Sequence, residues 1–103
     1  MDQITAQAAK AALDAGEAVL IDVREPDEVA QASIPGAMHI PMGELLERIA
    51  EVPRDRRVVF LCHSGARSDS VCRYLEENEG FGDLANLEGG IIAWHQAGLP
   101  LTR

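Results

Sequence analysis

Leu61-Cys62-His63-Ser64-Gly65-Ala66-Arg67-Ser68 joins two segments of different periodicity. Before it, Arg57-Val58-Val59-Phe60-Leu61 is a short apolar run rich in β-branched and aromatic residues. Bounded by Arg54-Asp55-Arg56-Arg57, it reads as a strand buried on both faces. After it, Val71, Cys72 and Leu75 form an apolar stripe, with Asp69, Arg73 and Glu76 pointing elsewhere, as in an amphipathic helix. A strand, a tight loop of small residues and a helix N-terminus therefore follow one another, with a cysteine at the strand's carboxyl end. In an open parallel sheet that end is where ligands bind.

Such a loop favours a thiolate. Amides at a helix start have no partner within the helix, and the helix dipole places partial positive charge there. Ser64, Gly65 and Ala66 are small enough for several N–H groups to curl toward one point, and Arg67 adds a permanent cation. Together these favour S⁻, the nucleophilic form, at Cys62. The commoner fate of a lone cysteine is core packing, but a core cysteine has no need of Gly, Arg and Ser crowded behind it.

Working outward, strands and helices alternate. Thr5 is a suitable N-cap for an alanine-rich helix ending near Gly16, with Ile4, Ala8, Ala11, Ala12 and Ala15 on one face. Ala18 to Val23 reads as a second strand, running into Asp22 with Arg24 and Glu25 beyond. Pro26 can start a short helical turn, and Met38-His39-Ile40 a brief strand closed by Pro41. Met42, Leu45, Leu46 and Ile49 give the cleanest helical stripe, closed by Pro53-Arg54-Asp55. Asp83 to Leu87 reads as a strand and Ile91 to Ala97 as a last helix, stopped by Gly98 and Pro100. The expected architecture is an α/β domain over residues 1–103, with a mainly parallel central sheet and helices on both faces.

The chain has 103 residues, enough for one modest core; its 47% hydrophobic and 25% charged content is ordinary for a globular chain. A net charge of −8 argues against nucleic acid or an anionic membrane as partner, so any affinity for an anion must be local to the loop. Two cysteines outside CxxC spacing fit a reducing compartment. No apolar run reaches the length of a membrane span and no secretory signal is visible, so the expected location is cytoplasmic. A mature exported form is the alternative.

Other candidates carry two readings each. His63 either bonds a substrate or stabilises the thiolate, or it points to solvent; His39 and His95 read as structural or surface residues, with no ligand spacing for a metal. Cys72 is expected to pack in the core, a resolving thiol being the alternative. Asp22 and Arg24 either pair and brace the loop or are solvated strand ends. Gly89-Gly90 either lets backbone approach the site or only permits a turn.

With these residues in hand, the chain resembles the rhodanese family, specifically its single-domain sulfurtransferases. The resemblance rests on Leu20-Ile21-Asp22-Val23-Arg24-Glu25-Pro26 with Glu28, on Ile34-Pro35-Gly36-Ala37 and Ile40-Pro41, and on Cys62 through Ser68. Leu87-Glu88-Gly89-Gly90, Trp94 and Gly98-Leu99-Pro100 complete it. Ala32-Ser33 departs from the Gly-His of many members, and Asn78 to Asp83 is slightly long. The resemblance implies that Cys62 takes the sulfane sulfur of a small anionic donor such as thiosulfate as a persulfide. The sulfur then passes to cyanide, a thiol or a thioredoxin-like protein. It implies that the loop amides from His63 to Ser68 stabilise the sulfur, that Arg67 and the Ser68 hydroxyl hold the donor's anionic end, and that no metal or organic cofactor is needed. Two alternatives stand beside it. One is a persulfide carrier or sensor without turnover. The other is a phosphatase or arsenate reductase of related fold, though those carry one more residue between Cys and Arg than the four found here.

Overall fold

The computed structural model describes every residue from Met1 to Arg103. Its strands are β1 (Asp2–Ile4), β2 (Ala18–Asp22), β3 (Met38–His39), β4 (Arg57–Leu61) and β5 (Leu84–Leu87). Its helices are α1 (Ala6–Asp14), α2 (Pro26–Gln31), α3 (Ala66–Asn78) and α4 (Gly90–Gln96). The strands form one wholly parallel sheet in the order β1-β5-β4-β2-β3. The apolar β4 thus lies in the middle of the sheet, and its carboxyl end is flanked by those of β2 and β5.

Strand side chains alternate between two cores. Val58, Phe60 and Cys62 join Val71, Cys72 and Leu75 of α3, together with Ile40, Leu45 and Val52. Val59 and Leu61 join Ala6 and Ala9 of α1 and Ile91 and Trp94 of α4 on the other face. Helices therefore cover both faces, as the alternation of periods predicts. At the far end of the chain, Trp94 Nε1 donates to Pro100 O at 2.8 Å, and Ser33 and Thr102 exchange two backbone hydrogen bonds beside α2.

Three local expectations are corrected. Asp2–Ile4 is an edge strand beside β5, so Ile4 lies outside α1 rather than on its apolar face, and Glu88 N donates to Ile4 O at 2.9 Å. A three-residue edge strand with two polar residues carries too little periodicity to be read. The α1 face is also out of phase. Ala6 and Ala9 are buried with Ala12 and Leu13 beside them, while Ala8, Ala11 and Ala15 are exposed. In a helix made largely of alanine, Leu13 in the last turn is the one large residue that marks the buried side.

The stripe from Met42 to Ile49 does not form one α-helix. It is broken into 3-10 turns at Met42–Glu44 and Ile49–Glu51, and Met42 and Leu46 are 42% and 53% exposed. Met42 N is held by Val23 O, at the carboxyl end of β2, so the segment must travel back to the start of β4. A 3-10 turn rises about 2.0 Å per residue against 1.5 Å for an α-helix, and Pro41 and Gly43 disfavour a regular first turn.

Candidate active site

Cys62 follows β4 directly, 1% exposed and turned toward α3. Gly65 has φ +106°, a region that favours glycine, and this reversal brings its amide back to donate to Cys62 Sγ at 3.1 Å. The amides of Arg67 and Ser68, in the first turn of α3, also act on the sulfur, and Ser68 Oγ lies 3.4 Å from it. Burial pushes the thiol up. The Ser68 hydroxyl and the amides of Ser68, Gly65 and Arg67 outweigh it, and the net direction is down from the ordinary 9.0. Of the six expected amides, these three address the sulfur. His63, Ser64 and Ala66 have their side chains on the exposed outer side of the loop.

Of Gly89 and Gly90, the second serves close approach, not merely a turn. Both have positive φ, and α4 begins so near the loop that Ile91 N donates to Cys62 O at 2.9 Å and Ile92 N to His63 O at 3.3 Å. A Cβ on Gly90 would lie 2.5 Å from Cys62 O and collide with His63 O as well. The backbone of Cys62 is thus clamped by one helix start while its sulfur is served by another.

Asp22 and Arg24 are paired and buried, 1% and 3% exposed. Arg24 Nε lies 3.0 and 3.1 Å from the two carboxylate oxygens of Asp22, and Nη2 is 2.8 Å from Oδ2. The guanidinium also donates to Ala32 O at 2.7 Å and Glu28 O at 3.4 Å, which ties α2 to the end of β2. The pair braces the wall beside the loop rather than the sulfur itself.

Arg67 makes a bidentate ion pair with Glu28 of α2, with both N–O distances 2.8 Å. This pairing is the main cause raising Arg67 further above its usual range, and the Cys62 sulfur adds to it. It also holds Glu28 down at about 2 against an ordinary 4.5. Because the folded value is the lower one, the pair stabilises the fold above about pH 4.5 and loses that contribution as pH falls toward 2. Glu28→Gln is accordingly expected to flatten the dependence of Tm on pH between 5 and 2. Parallel curves for the two proteins would mean that the pair adds no acid-sensitive stability.

His63 is exposed and lines a cleft of about 450 Å³ with Arg24, Glu28, Ile91, Ile92 and His95. His39 is structural, with Nε2 2.7 Å from Arg24 O. Cys72 is fully buried, with its sulfur 3.6 Å from Ala85 O, and burial with nearby Asp69 pushes its thiol up to about 12. That suits core packing and not a resolving thiol. Two contributors escaped the sequence reading as site residues. Glu28 sits in the first turn of a six-residue helix. Asn86 is the one polar residue inside Leu84–Leu87, and a buried polar group in an apolar strand is the signal that could have found it.

The profile of the rhodanese-like domain matches residues 5–97. The chain belongs to the rhodanese-like domain family. It is 48% identical over 89 residues to a sulfurtransferase of Allochromatium vinosum, covering 86% of this chain and 82% of that one. It is 31% identical over 98 residues to the thiosulfate sulfurtransferase GlpE of Vibrio cholerae, covering 95% and 92%. Among solved structures, a rhodanese-related protein from Thermoplasma volcanium superposes with a TM-score of 0.89 at 28% identity, over 99% of this chain and 98% of that one. At the family level, this rhodanese-like domain is placed among sulfurtransferases. No helix in it is long and apolar enough to cross a membrane.

Proposed function

We propose that this rhodanese-like domain transfers a sulfane sulfur from a small anionic donor such as thiosulfate to a thiophilic acceptor through a persulfide on Cys62. The observation that carries this reading is the convergence of three amides and one hydroxyl on a sulfur whose pKa is lowered despite burial. The Cys62 thiolate attacks the outer sulfur of thiosulfate. A new S–S bond forms, the old one breaks, and its electron pair leaves on sulfite. Cys62 then carries an outer sulfur as S–S⁻, in the cradle that held the thiolate. An acceptor (cyanide, a thiol or a thioredoxin-like protein) attacks that outer sulfur, and the thiolate is released. With four residues between Cys62 and Arg67, the loop is sized for one sulfur atom rather than a tetrahedral phosphate.

In this reading Ser68, fully buried, serves the sulfur, and Arg67, ion-paired to Glu28, meets the donor's anionic end.

The test is intact mass after thiosulfate treatment. A gain of one sulfur atom, absent in Cys62→Ser, is expected, with turnover when cyanide is added. Alkylation of unloaded Cys62 by iodoacetamide should show a pH midpoint below 9. Loading without turnover would favour a carrier. Hydrolysis of an aryl phosphate that vanishes in Cys62→Ser would replace the proposal altogether.

A further inference from the structure

Asn86 is 3% exposed on β5, and every polar atom of its side chain is committed. Its Nδ2 donates to Gln3 Oε1 at 2.9 Å and to Gly65 O at 3.1 Å. A backbone carbonyl can only accept, so the amide nitrogen must face Gly65, and Oδ1 must face the other way. There it lies 2.5 Å from Ser68 Oγ. Gln3 is oriented in turn, because its Nε2 donates to Asp69 Oδ1 at 2.8 Å. Donors and acceptors therefore run head to tail from the Ser68 hydroxyl through Asn86 and Gln3 to the Asp69 carboxylate. Amides polarised in one direction and ended on an anion strengthen one another, which makes Asn86 Oδ1 an unusually good acceptor.

Ser68 has one hydroxyl hydrogen and three acceptors within reach: Asn86 Oδ1 at 2.5 Å, Gly65 O at 3.3 Å and Cys62 Sγ at 3.4 Å. Gly65 O already accepts from Asn86 Nδ2 and from Asp69 N, so the contest is between oxygen and sulfur. We propose that Asn86 is a positioning residue whose side-chain oxygen competes with Cys62 Sγ for the hydroxyl proton of Ser68, so that the proton faces sulfur only while the sulfur is an anion. With a neutral thiol, Ser68 donates to Asn86 and its lone pair is open to the S–H. With a thiolate, the hydroxyl turns to Sγ and leaves Oδ1 without a donor. The further consequence for the loaded form rests on the sulfur-transfer reading above. Once the charge has moved to the outer sulfur, the proton returns to Asn86. Asn86 thus opposes the resting thiolate and favours its discharge.

The readout is the pH midpoint of iodoacetamide alkylation of the unloaded full chain, which needs no sulfur donor. Asn86→Leu is expected to lower the midpoint by about half a unit to one unit, which is roughly three- to tenfold more thiolate well below the midpoint. Gln3→Ala alters only an exposed residue at the sheet edge and keeps the test alive should Asn86→Leu not fold. It is expected to move the midpoint in the same direction by less. Both shifts should vanish in a Ser68→Ala background, where no proton is left to compete for. A raised or unmoved midpoint in both single variants, or shifts that persist without the Ser68 hydroxyl, would overturn the proposal. The charged groups around the loop (Arg67 and Asp69 of α3, Glu28 of α2, the Asp22–Arg24 pair beyond β2) and His63 are the same in every variant. A chain that shows these shifts yet takes up no sulfur from thiosulfate would sink the sulfur-transfer reading and leave this inference standing.

Discussion

Gly90→Ala is expected to lower Tm by roughly 15 to 30 °C and to abolish activity in whatever remains folded. Its Cβ would sit 2.5 Å from Cys62 O and against His63 O, both backbone atoms that cannot rotate away. Relieving that overlap means moving α4 off the loop. Overpacking of this kind costs about 1–3 kcal/mol, a left-handed alanine about 1 kcal/mol more. The hydrogen bonds from Ile91 N and Ile92 N are then weakened or lost, at about 1 kcal/mol each. A total of about 4–6 kcal/mol, at roughly 4–5 °C per kcal/mol for a domain of about 100 residues, gives the stated fall. Gly36→Ala is the control: it too has a positive φ, +84°, but nothing lies within 4 Å of the new methyl. It should cost only the conformational part, about 1 kcal/mol. Thermal unfolding followed by circular dichroism measures both, and equal losses for the two variants would mean that close approach at Gly90 is not what the glycine is for.

Arg24→Met has the second largest expected effect, about 3–5 kcal/mol, because it strands the Asp22 carboxylate at 1% exposure. It also leaves Ala32 O and Glu28 O without the donor that holds α2 in place. Adding Asp22→Leu removes the stranded charge and should recover part of the loss. A double variant no more stable than Arg24→Met alone would show that the unpaired charge is not the source of the damage.

Both positions show how far residues alone could be read. The parallel sheet, the position of Cys62 at a strand end and the helix behind it follow from blocks whose apolar spacing is unambiguous: Val58 to Leu61, Val71 to Leu75 and Ala18 to Ile21. The pairing of Asp22 with Arg24 could be raised as a candidate because an acid follows four apolar residues. Its burial could not, since that depends on α2 folding over it. Met42 to Ile49 misled because spacing records which residues face a core, not how far the chain must travel between strands. Asn86, Gln3 and Asp69 lie on three elements far apart in sequence, and no local pattern links them. Glu28 was visible as part of a resemblance, but its hold on Arg67 exists only once α2 and the loop stand side by side.

The sealed position of Cys72, between α3 and β5, sets the terms on which Cys62 works. With its second thiol locked in hydrocarbon and kept protonated, the domain has no internal route for quenching a charged nucleophile as a disulfide. On the proposed sulfur-transfer reading, whatever Cys62 acquires departs with a visitor, so the lifetime of the cargo is governed by encounters at the mouth of the loop and not by the protein's own second sulfur.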